Sequence, residues 1–317
     1  MNPPRSIGLR EEKIKISKKG WALGCVAALL LAEGAIHMSG VLDYPLYEAN
    51  NEIGYIPAPN QAGAFLRTND WVYNEHSMGA GPFMPDPSRF NVLLVGDSLV
   101  MGGNRMAQAE RIGPQLEKRS GWQVWPIGAS SWAMQNELTY IRQHPQILEQ
   151  VDAVVFLSNS EDFDEPSSWA YEVMHPRSHP VSGLAYMTKK YLIKEDRPPV
   201  TPELQVPKRD WRAELAAFAQ EFDKPVFLFA YPTVEELNDK QLMADQLDAV
   251  MTDIEDRVGQ DITVFKVADS DQWKPDFYRD YIHPTGHGNE VLADIFYENL
   301  CSQAMHKMEC ALPAEVR

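Results

Sequence analysis

Ser98 is the first residue whose type and position could support chemistry. It lies in Gly96-Asp97-Ser98, directly after the short apolar run of residues 91–95 that predicts a buried strand. A serine on a strand-to-helix turn is open to a substrate, and its own amide at a helix N-terminus can stabilise a developing oxyanion. The same position suits a serine that only caps a helix. Ser98 alone therefore leaves two interpretations open, a nucleophile or an N-cap.

Asp280 and His283 are the partners that a nucleophilic serine needs. Two residues separate them, which lets the chain turn so that the carboxylate accepts the Nδ1–H of the imidazole. The Nε2 atom is then free to take a proton from a hydroxyl. Pro284 follows and suits the first position of a last helix, predicted to run to about residue 305. Together with Ser98, this pair predicts a Ser–His–Asp triad.

Apolar runs alternate with amphipathic segments from residue 91 onward, and this alternation predicts an α/β fold. Strands that are continuously apolar are buried on both faces, so they belong to a parallel sheet with helices on both sides. Functional groups gather at the carboxyl ends of such strands. The longest predicted helix covers 234–258, and an inserted loop or lid covers 159–207. Strands are predicted at residues 91–95, 122–127, 151–157, 225–230 and 262–267.

Three sequence blocks resemble those of SGNH (GDSL-type) hydrolases, a family named for blocks that contain Ser, Gly, Asn and His. In family order they are Val95-Gly96-Asp97-Ser98-Leu99, Pro126-Ile127-Gly128-Ala129 and Asp280-Tyr281-Ile282-His283-Pro284. The resemblance spans about residues 91–300 and implies a three-layer α/β/α, flavodoxin-like parallel sheet. Residues 52–60 and 73–79 also resemble the segments that precede this domain in membrane-anchored, exported members.

The resemblance implies a role for each matched residue. Ser98 is the implied nucleophile, His283 the general base and then acid, and Asp280 the orienting carboxylate. The implied oxyanion hole combines the backbone N–H groups of Ser98 and Gly128 with an asparagine side chain. Each such donor typically contributes about 3 kcal/mol of transition-state stabilisation.

The third block departs from the family pattern, in which Gly-x-Asn-Asp follows the strand. Here the strand is followed by Ser158-Asn159-Ser160-Glu161-Asp162. An alignment on Asp162 puts Glu161 at the asparagine position, where a carboxylate would repel an oxyanion unless it were protonated. A shift by two residues presents Asn159 instead. We favour Asn159 as the third donor, and Glu161 is the alternative.

His144, His175 and His179 raise the alternative of a metal site. No cysteine or clear helix accompanies these histidines in the sequence, so exposed loop histidines are the favoured interpretation. We therefore expect neither a metal nor another cofactor.

Composition and charge restrict the classes of protein and partner. The chain has 317 residues, 44% of them hydrophobic and 23% charged, which excludes collagen-like, disordered and disulfide-dense classes. A net charge of −16 argues against nucleic acid as a partner, because anionic polymers are repelled at long range. The charge is uneven: the first 20 residues hold six basic and two acidic side chains, whereas the rest carries 23 basic and 43 acidic ones.

The basic head, residues 1–20, precedes an apolar stretch over residues 21–42 that is long enough to cross a bilayer. We interpret it as an uncleaved transmembrane signal anchor. A cleaved signal peptide is the alternative, because Glu33 and His37 interrupt the apolar run. Basic residues stay in the cytoplasm, so the acidic body is exported. The expected localisation is single-pass and membrane-anchored, with the catalytic body in a bacterial periplasm or at the cell surface.

The remaining chain divides into a lead-in, a main domain and a tail. In an oxidising compartment Cys301 and Cys310 could join the tail to the last helix, with two free thiols as the alternative. The predicted units are an extended lead-in over 43–90, an SGNH hydrolase-like domain over 91–305 and a C-terminal tail over 306–317.

Three functions fit these residues. The first is a serine esterase that forms an acyl-Ser98 intermediate and releases it to water, acting on an acylated small molecule or on O-acetyl groups of a cell-surface polysaccharide. The second is an O-acyltransferase for an exopolysaccharide, in which the insert excludes water and a membrane protein partner docks on the Glu33/His37 pair. The third is a non-catalytic binding or assembly module, favoured by the altered third block and opposed by the intact triad residues.

Overall fold

The computed structural model describes residues 17–193, 198–303 and 310. Most of the basic head and of the predicted tail therefore lies outside the described residues. The strands are β1 (Tyr47–Asn50), β2 (Gly54–Pro57), β3 (Gln61–Phe65), β4 (Asn69–Tyr73), β5 (Asn91–Gly96), β6 (Gln123–Gly128), β7 (Ala153–Ser158), β8 (Val226–Ala230) and β9 (Thr263–Lys266). The helices are α1 (Lys18–Ser39), α2 (Ser98–Met101), α3 (Ile112–Ser120), α4 (Met134–Gln143), α5 (Pro145–Leu148), α6 (Gly183–Tyr191), α7 (Trp211–Glu221), α8 (Val234–Asn238), α9 (Lys240–Met243), α10 (Ala249–Val258) and α11 (Gly286–Gln303).

Five parallel strands form the central sheet, in the order β6-β5-β7-β8-β9. This is the flavodoxin-like order, in which the strand order reverses between β5 and β7 while all strands stay parallel. All residues of β5, β7 and β8 are buried, as their continuous apolar runs predict. The predicted fold class, a three-layer α/β/α parallel sheet, is confirmed.

Alternate residues of each central strand belong to two different cores. Val92 and Leu94 pack on the same side as Leu116 of α3 and Phe296 of α11. Leu93, one position along, packs on the opposite side, where α4, α7 and α10 bury their apolar faces. Because both faces of the sheet are covered by helices, its polar loops at the carboxyl edge are where a ligand can approach.

The lead-in over 43–90 contains two antiparallel hairpins, β1-β2 and β3-β4, where an extended segment was predicted. All four residues of β2 are buried, so its sequence has no polar and apolar alternation to reveal a strand. The hairpin β1-β2 is joined to the main domain by Tyr55, whose hydroxyl donates to the carbonyl of Ser130 at 2.6 Å. The carbonyl of Tyr55 accepts from the Trp132 indole, also at 2.6 Å.

Two predicted helices differ from those observed. The long helix over 234–258 is divided into α8, α9, a π-helical turn at Ala244–Asp248 and α10. Asp239 ends α8 and caps α9, because its carboxylate accepts the backbone N–H of Gln241 at 2.9 Å. The last helix begins near Pro284, as expected, but Pro284 is not its first residue: α11 begins at Gly286, and Pro284 forms an antiparallel bridge with Tyr278.

The insert over 159–207 packs partly against the lead-in. His175 lies in this insert and is buried, with its ring stacked on Tyr55 at a centroid distance of 3.8 Å. The indole N–H of Trp169 donates to the carbonyl of His175 at 2.7 Å. The expectation that His175 is an exposed loop histidine is therefore wrong, because aromatic packing rather than solvent surrounds it.

Cys301 and Cys310 form a disulfide with a Cα–Cα distance of 5.8 Å. Cys301 lies in the last turn of α11, so the bond holds residue 310 against the core between the sheet and the helices α3 and α11. Between the two alternatives left by the sequence, the structure has the disulfide.

Candidate active site

Three strands of the sheet end side by side at the carboxyl edge. Gly96, the last residue of β5, pairs with Gly128 at the end of β6 and with Leu157 near the end of β7. Ser98 follows β5 by two residues and Asn159 follows β7 directly. The parallel register therefore brings together the three predicted oxyanion-hole residues, which are far apart in the sequence.

Ser98 is the first residue of the short helix α2. The N-cap of α2 is Asp97, whose carboxylate accepts the backbone N–H of Leu99 at 2.7 Å. The hydroxyl of Ser98 is thus not needed to cap the helix, and the N-cap interpretation of Ser98 is wrong.

The hydroxyl of Ser98 faces the imidazole of His283, 185 positions later in the chain. The Ser98 Oγ and His283 Nε2 atoms are 2.8 Å apart. On the other side of the ring, Nδ1 lies 2.9 and 3.0 Å from the two carboxylate oxygens of Asp280. With a proton on Nδ1, Nε2 accepts the hydrogen of the serine, which is the arrangement that general-base activation requires. The structure brings all three predicted triad residues into one hydrogen-bond chain.

The carboxylate of Asp280 is held by more than the imidazole. One of its oxygens also accepts the backbone N–H groups of Ile282 and His283, at 3.1 and 2.8 Å. Partial burial acts to raise the pKa of Asp280, but these hydrogen bonds and the nearby His283 outweigh it, so its pKa lies below the ordinary value. Asp280 therefore stays ionised and can stabilise an imidazolium on His283.

Two glycines allow the three strand ends to approach one another. A Cβ on Gly128 would lie 2.5 Å from the carbonyl oxygen of Gly96 and 2.7 Å from that of Asp97. A Cβ on Gly96 would lie 2.6 Å from a methyl group of Val100 and 2.8 Å from the carbonyl oxygen of Leu157. The turn that carries Ser98 can lie against β6 only because these two positions have no side chain.

Asn159 and Glu161, the two alternatives for the third donor, point in different directions. Asn159 is buried, and its Nδ2 and backbone N–H donate to the same Asp162 oxygen at 2.9 and 2.8 Å. Glu161 is exposed, and its carboxylate lies 3.5 Å from the Tyr281 hydroxyl. The buried residue with a fixed amide is Asn159, and one of its two Nδ2 hydrogens remains after the bond to Asp162.

Replacement of Asn159 by alanine is expected to lower kcat for an ester substrate by about 10²-fold with a small change in KM, because an oxyanion donor acts mainly in the transition state. The matched variant Glu161→Gln is expected to leave kcat within a factor of about three, because the side chain is exposed. Steady-state kinetics on variants with native circular dichroism spectra would measure both. A larger loss in Glu161→Gln than in Asn159→Ala would assign the third donor to Glu161.

A buried carboxyl group near Asp97 and Asp162 was missed by sequence reasoning. Glu137 lies on α4, is fully buried, and has no hydrogen-bond partner for either carboxyl oxygen among the described residues. Burial, with the charge of Asp97 added, raises the pKa of Glu137 well above its ordinary value. Asp162 shows the same direction, because it is buried near Asp97 and Glu137. The available signal was a glutamate on the face that α4 shares with the apolar residues Leu138 and Ile141.

The raised pKa of Glu137 predicts a stability that falls as pH rises. Above the ordinary value of 4.5, the folded state binds a proton at Glu137 that the unfolded state has lost, so the free energy of unfolding falls by up to about 1.4 kcal/mol per pH unit. The variant Glu137→Gln cannot ionise, and its stability relative to wild type is expected to increase from pH 5 to pH 8. Urea unfolding at both pH values measures this difference, with the exposed Glu48→Gln as control. Parallel pH profiles for wild type and Glu137→Gln would contradict the prediction.

Arg279 is a second residue that the sequence did not reveal. Its Nη2 donates to the carbonyl of Gly102, just after α2, at 2.9 Å, and its Nε lies 3.9 Å from Asp280. The guanidinium therefore links the loop after Ser98 to the loop that carries Asp280 and His283.

Among the described residues, no group of three or more His, Cys, Asp or Glu side chains is arranged to hold a metal ion.

The chain is similar to known proteins in overall structure but not in sequence. No protein-family model matches this sequence, and no curated protein matches it. A GDSL-like lipase from Bacteroides ovatus is similar in structure at 11% identity and a TM-score of 0.37, with 71% of this chain and 55% of that chain covered. The match therefore spans about half of that lipase.

Two further solved structures are similar to a comparable degree. A carbohydrate esterase family 2 enzyme from Corynascus thermopiles, with a carbohydrate-binding domain, has 12% identity and a TM-score of 0.41 over 70% of this chain and 68% of its own. The C-terminal catalytic domain of the Streptococcus pneumoniae peptidoglycan O-acetyltransferase A has 12% identity and a TM-score of 0.35 over 68% of this chain and 94% of its own.

Proposed function

We propose that this chain is a member of the SGNH hydrolase family and acts as a serine esterase through an acyl-Ser98 intermediate. The observation that carries this proposal is the 2.8 Å contact between Ser98 Oγ and His283 Nε2, with Asp280 bonded to the other ring nitrogen. A binding module that had lost its activity would not need to keep this three-residue hydrogen-bond chain. The site thus supports catalysis over the non-catalytic alternative.

The acylation step follows from this geometry. His283 takes the proton from Ser98 as Oγ attacks the ester carbonyl, and the carbonyl oxygen becomes an oxyanion near the backbone of Ser98 and Gly128. The tetrahedral intermediate collapses when the bond to the alcohol oxygen breaks and His283 returns the proton to that oxygen. The acyl group is then covalently attached to Ser98.

Deacylation needs a water molecule that His283 can activate. The side chains of His283 and Asp280 are 23% and 45% exposed, so solvent reaches the base directly. This exposure favours hydrolysis over transfer to a sugar hydroxyl, because a transferase must keep water away from its acyl-enzyme.

For the substrate, we propose O-acetyl groups of a cell-surface polysaccharide, in keeping with the exported location predicted for the body.

For the N-terminus we propose a single-pass membrane anchor with the body outside the cytoplasm. Helix α1 has 22 residues, an 18-residue window within it has a mean hydropathy of 1.6, and the helix is exposed along nearly its whole length. At about 1.5 Å per residue this length matches the ~30 Å hydrocarbon core of a bilayer. A basic head precedes it, which is the orientation signal for a cytoplasmic N-terminus.

The test of the esterase proposal uses the full chain in detergent micelles with p-nitrophenyl acetate. Wild type is expected to release nitrophenol steadily and to carry one acetyl group on Ser98 after rapid quenching, as seen by mass spectrometry. Ser98→Ala is expected to show neither, whereas Ser270→Ala should behave like wild type. A burst that stalls until a sugar acceptor is added would favour the acyltransferase alternative. Absence of Ser98-dependent release from a folded protein would contradict the enzyme proposal.

A further inference from the structure

The membrane-length helix α1 is bonded to the insert of the main domain through a single carboxylate. Glu33 accepts three hydrogen bonds from the start of α6: from the Ser182 hydroxyl at 3.0 Å and from the backbone N–H groups of Gly183 and Leu184 at 2.6 and 2.9 Å. A carboxylate at a helix N-terminus also interacts favourably with the helix dipole. Glu33 therefore acts as an N-terminal cap for α6, supplied by a different helix.

Close packing reinforces this cap. A Cβ on Gly183 would lie 2.6 Å from the Ile36 Cγ2 atom and 2.9 Å from the Leu42 Cδ1 atom, so α6 approaches α1 as closely as a glycine allows. His37 completes the contact, with its Nε2 2.9 Å from Glu33. The Glu33/His37 pair, expected to dock a separate membrane protein, is thus engaged by this chain's own insert.

The position of Glu33 along α1 sets the depth of α6. Glu33 precedes Ser39, the last residue of α1, by six positions, which is about 9 Å along a helix axis. Interfacial helices lie about 5–10 Å into the boundary between headgroups and acyl chains. If α1 leaves the membrane at its C-terminal end, the first turn of α6 lies at this interfacial depth.

The surface of α6 has the chemistry of such a boundary. Exposed apolar side chains stand at both of its ends: Val181 before the helix, and Leu192 and Ile193 after it, with Leu192 79% exposed. Tyrosines prefer the membrane–water interface, and Tyr191, the last residue of α6, is 56% exposed. Lys189 and Lys190 in its last turn give it a positive charge, in a chain whose net charge is −16. This combination complements anionic lipid headgroups.

We propose that residues 181–193 form an interfacial membrane-binding segment whose partner is the lipid bilayer surface, and that Glu33 joins it to α1. This inference rests on the proposed membrane anchoring. The segment gives the anchored body a second attachment and so fixes its orientation on the membrane. The insert then serves as a membrane contact in addition to any role beside the active site.

The test places an environment-sensitive NBD probe on single free cysteines of the full chain, with the Cys301–Cys310 disulfide kept, in vesicles of phosphatidylcholine and phosphatidylglycerol. In a Cys25→Ser background, the probe at Leu192→Cys is expected to shift to the blue and to be quenched by doxyl-labelled lipids. The probe at Met84→Cys, a lead-in position that is also well exposed at 70%, is expected to stay unquenched. Native Cys25, the eighth residue of α1 and exposed, is the positive control.

The two proposals fail in different ways. A quenched probe at Cys25 with an unquenched probe at Leu192→Cys would overturn the interfacial segment and leave the anchor intact. An unquenched probe at Cys25 would overturn both. The variant Glu33→Ala is expected to reduce quenching at Leu192→Cys, since it removes three hydrogen bonds to α6, whereas His37→Gln should retain most of it. Unchanged quenching in Glu33→Ala would contradict the bridging role of Glu33.

Discussion

Replacing His283 by alanine is expected to lower kcat/KM for p-nitrophenyl acetate by about 10⁴-fold or more. In the proposed mechanism the imidazole removes the Ser98 proton, and its Nε2 lies 2.8 Å from the serine oxygen. Without a base the hydroxyl stays protonated and is a weak nucleophile, and the residual rate comes from substrate binding and the oxyanion hole. Initial rates over a range of substrate concentrations measure this effect.

The matched control for this prediction is His287→Ala. His287 lies one helical turn later, is 70% exposed and pairs with Glu290 at the surface. Its loss is expected to leave kcat/KM within a factor of about two, because an exposed ion pair contributes little. Equal effects of the two variants would remove His283 from the triad and would leave Ser98 without a base.

The second large effect is expected for Gly128→Ala. The added methyl group would overlap the carbonyl oxygens of Gly96 and Asp97, at 2.5 and 2.7 Å, so the Ser98 turn must move away from β6. Because this turn carries the nucleophile and its amide, a displacement of about 1 Å is expected to lower kcat at least about 10²-fold. Overpacking at a buried site is also expected to reduce the free energy of unfolding by about 1–3 kcal/mol.

Gly81→Ala is the control for a glycine-to-alanine change as such. A Cβ on Gly81 meets no atom within 4 Å, so both kcat and stability should stay close to wild type. Kinetics and urea unfolding of the two variants separate the catalytic from the structural loss. A Gly128→Ala variant with wild-type kcat would contradict the prediction, because it would show that β6 can move without disturbing Ser98.

The sheet and the triad were predictable from sequence for a clear physical reason. Strands buried on both faces are written as continuous apolar runs, so β5, β7 and β8 are visible in the chain itself. Asp280 and His283 are close enough in sequence for a local turn to join them. Once the sheet is known to be parallel, the ends of its strands must share one edge, and Ser98 can meet His283 there.

Residues with competing local roles could not be assigned in this way. The sequence permits either Asp97 or Ser98 to cap α2, and either Asn159 or Glu161 to face the site. Only the folded interior shows that the Asp97 carboxylate caps α2 through Leu99, and that Asn159 is buried against Asp162 whereas Glu161 is exposed. The hairpins of the lead-in were missed for a similar reason, since strands such as β2 are buried on all sides by neighbours distant in sequence.

The amino-acid sequence by itself determined the parallel sheet, the apolar N-terminal helix and the set of residues for a Ser–His–Asp triad, because periodicity, charge and short spacings encode local structure directly. Only the tertiary structure decided the partner of Glu33, the burial of Glu137 near Asp97, and the approach of Gly128 to the Ser98 turn. Each of these depends on atoms brought together from segments far apart in the chain, where burial and packing, not spacing, set the outcome.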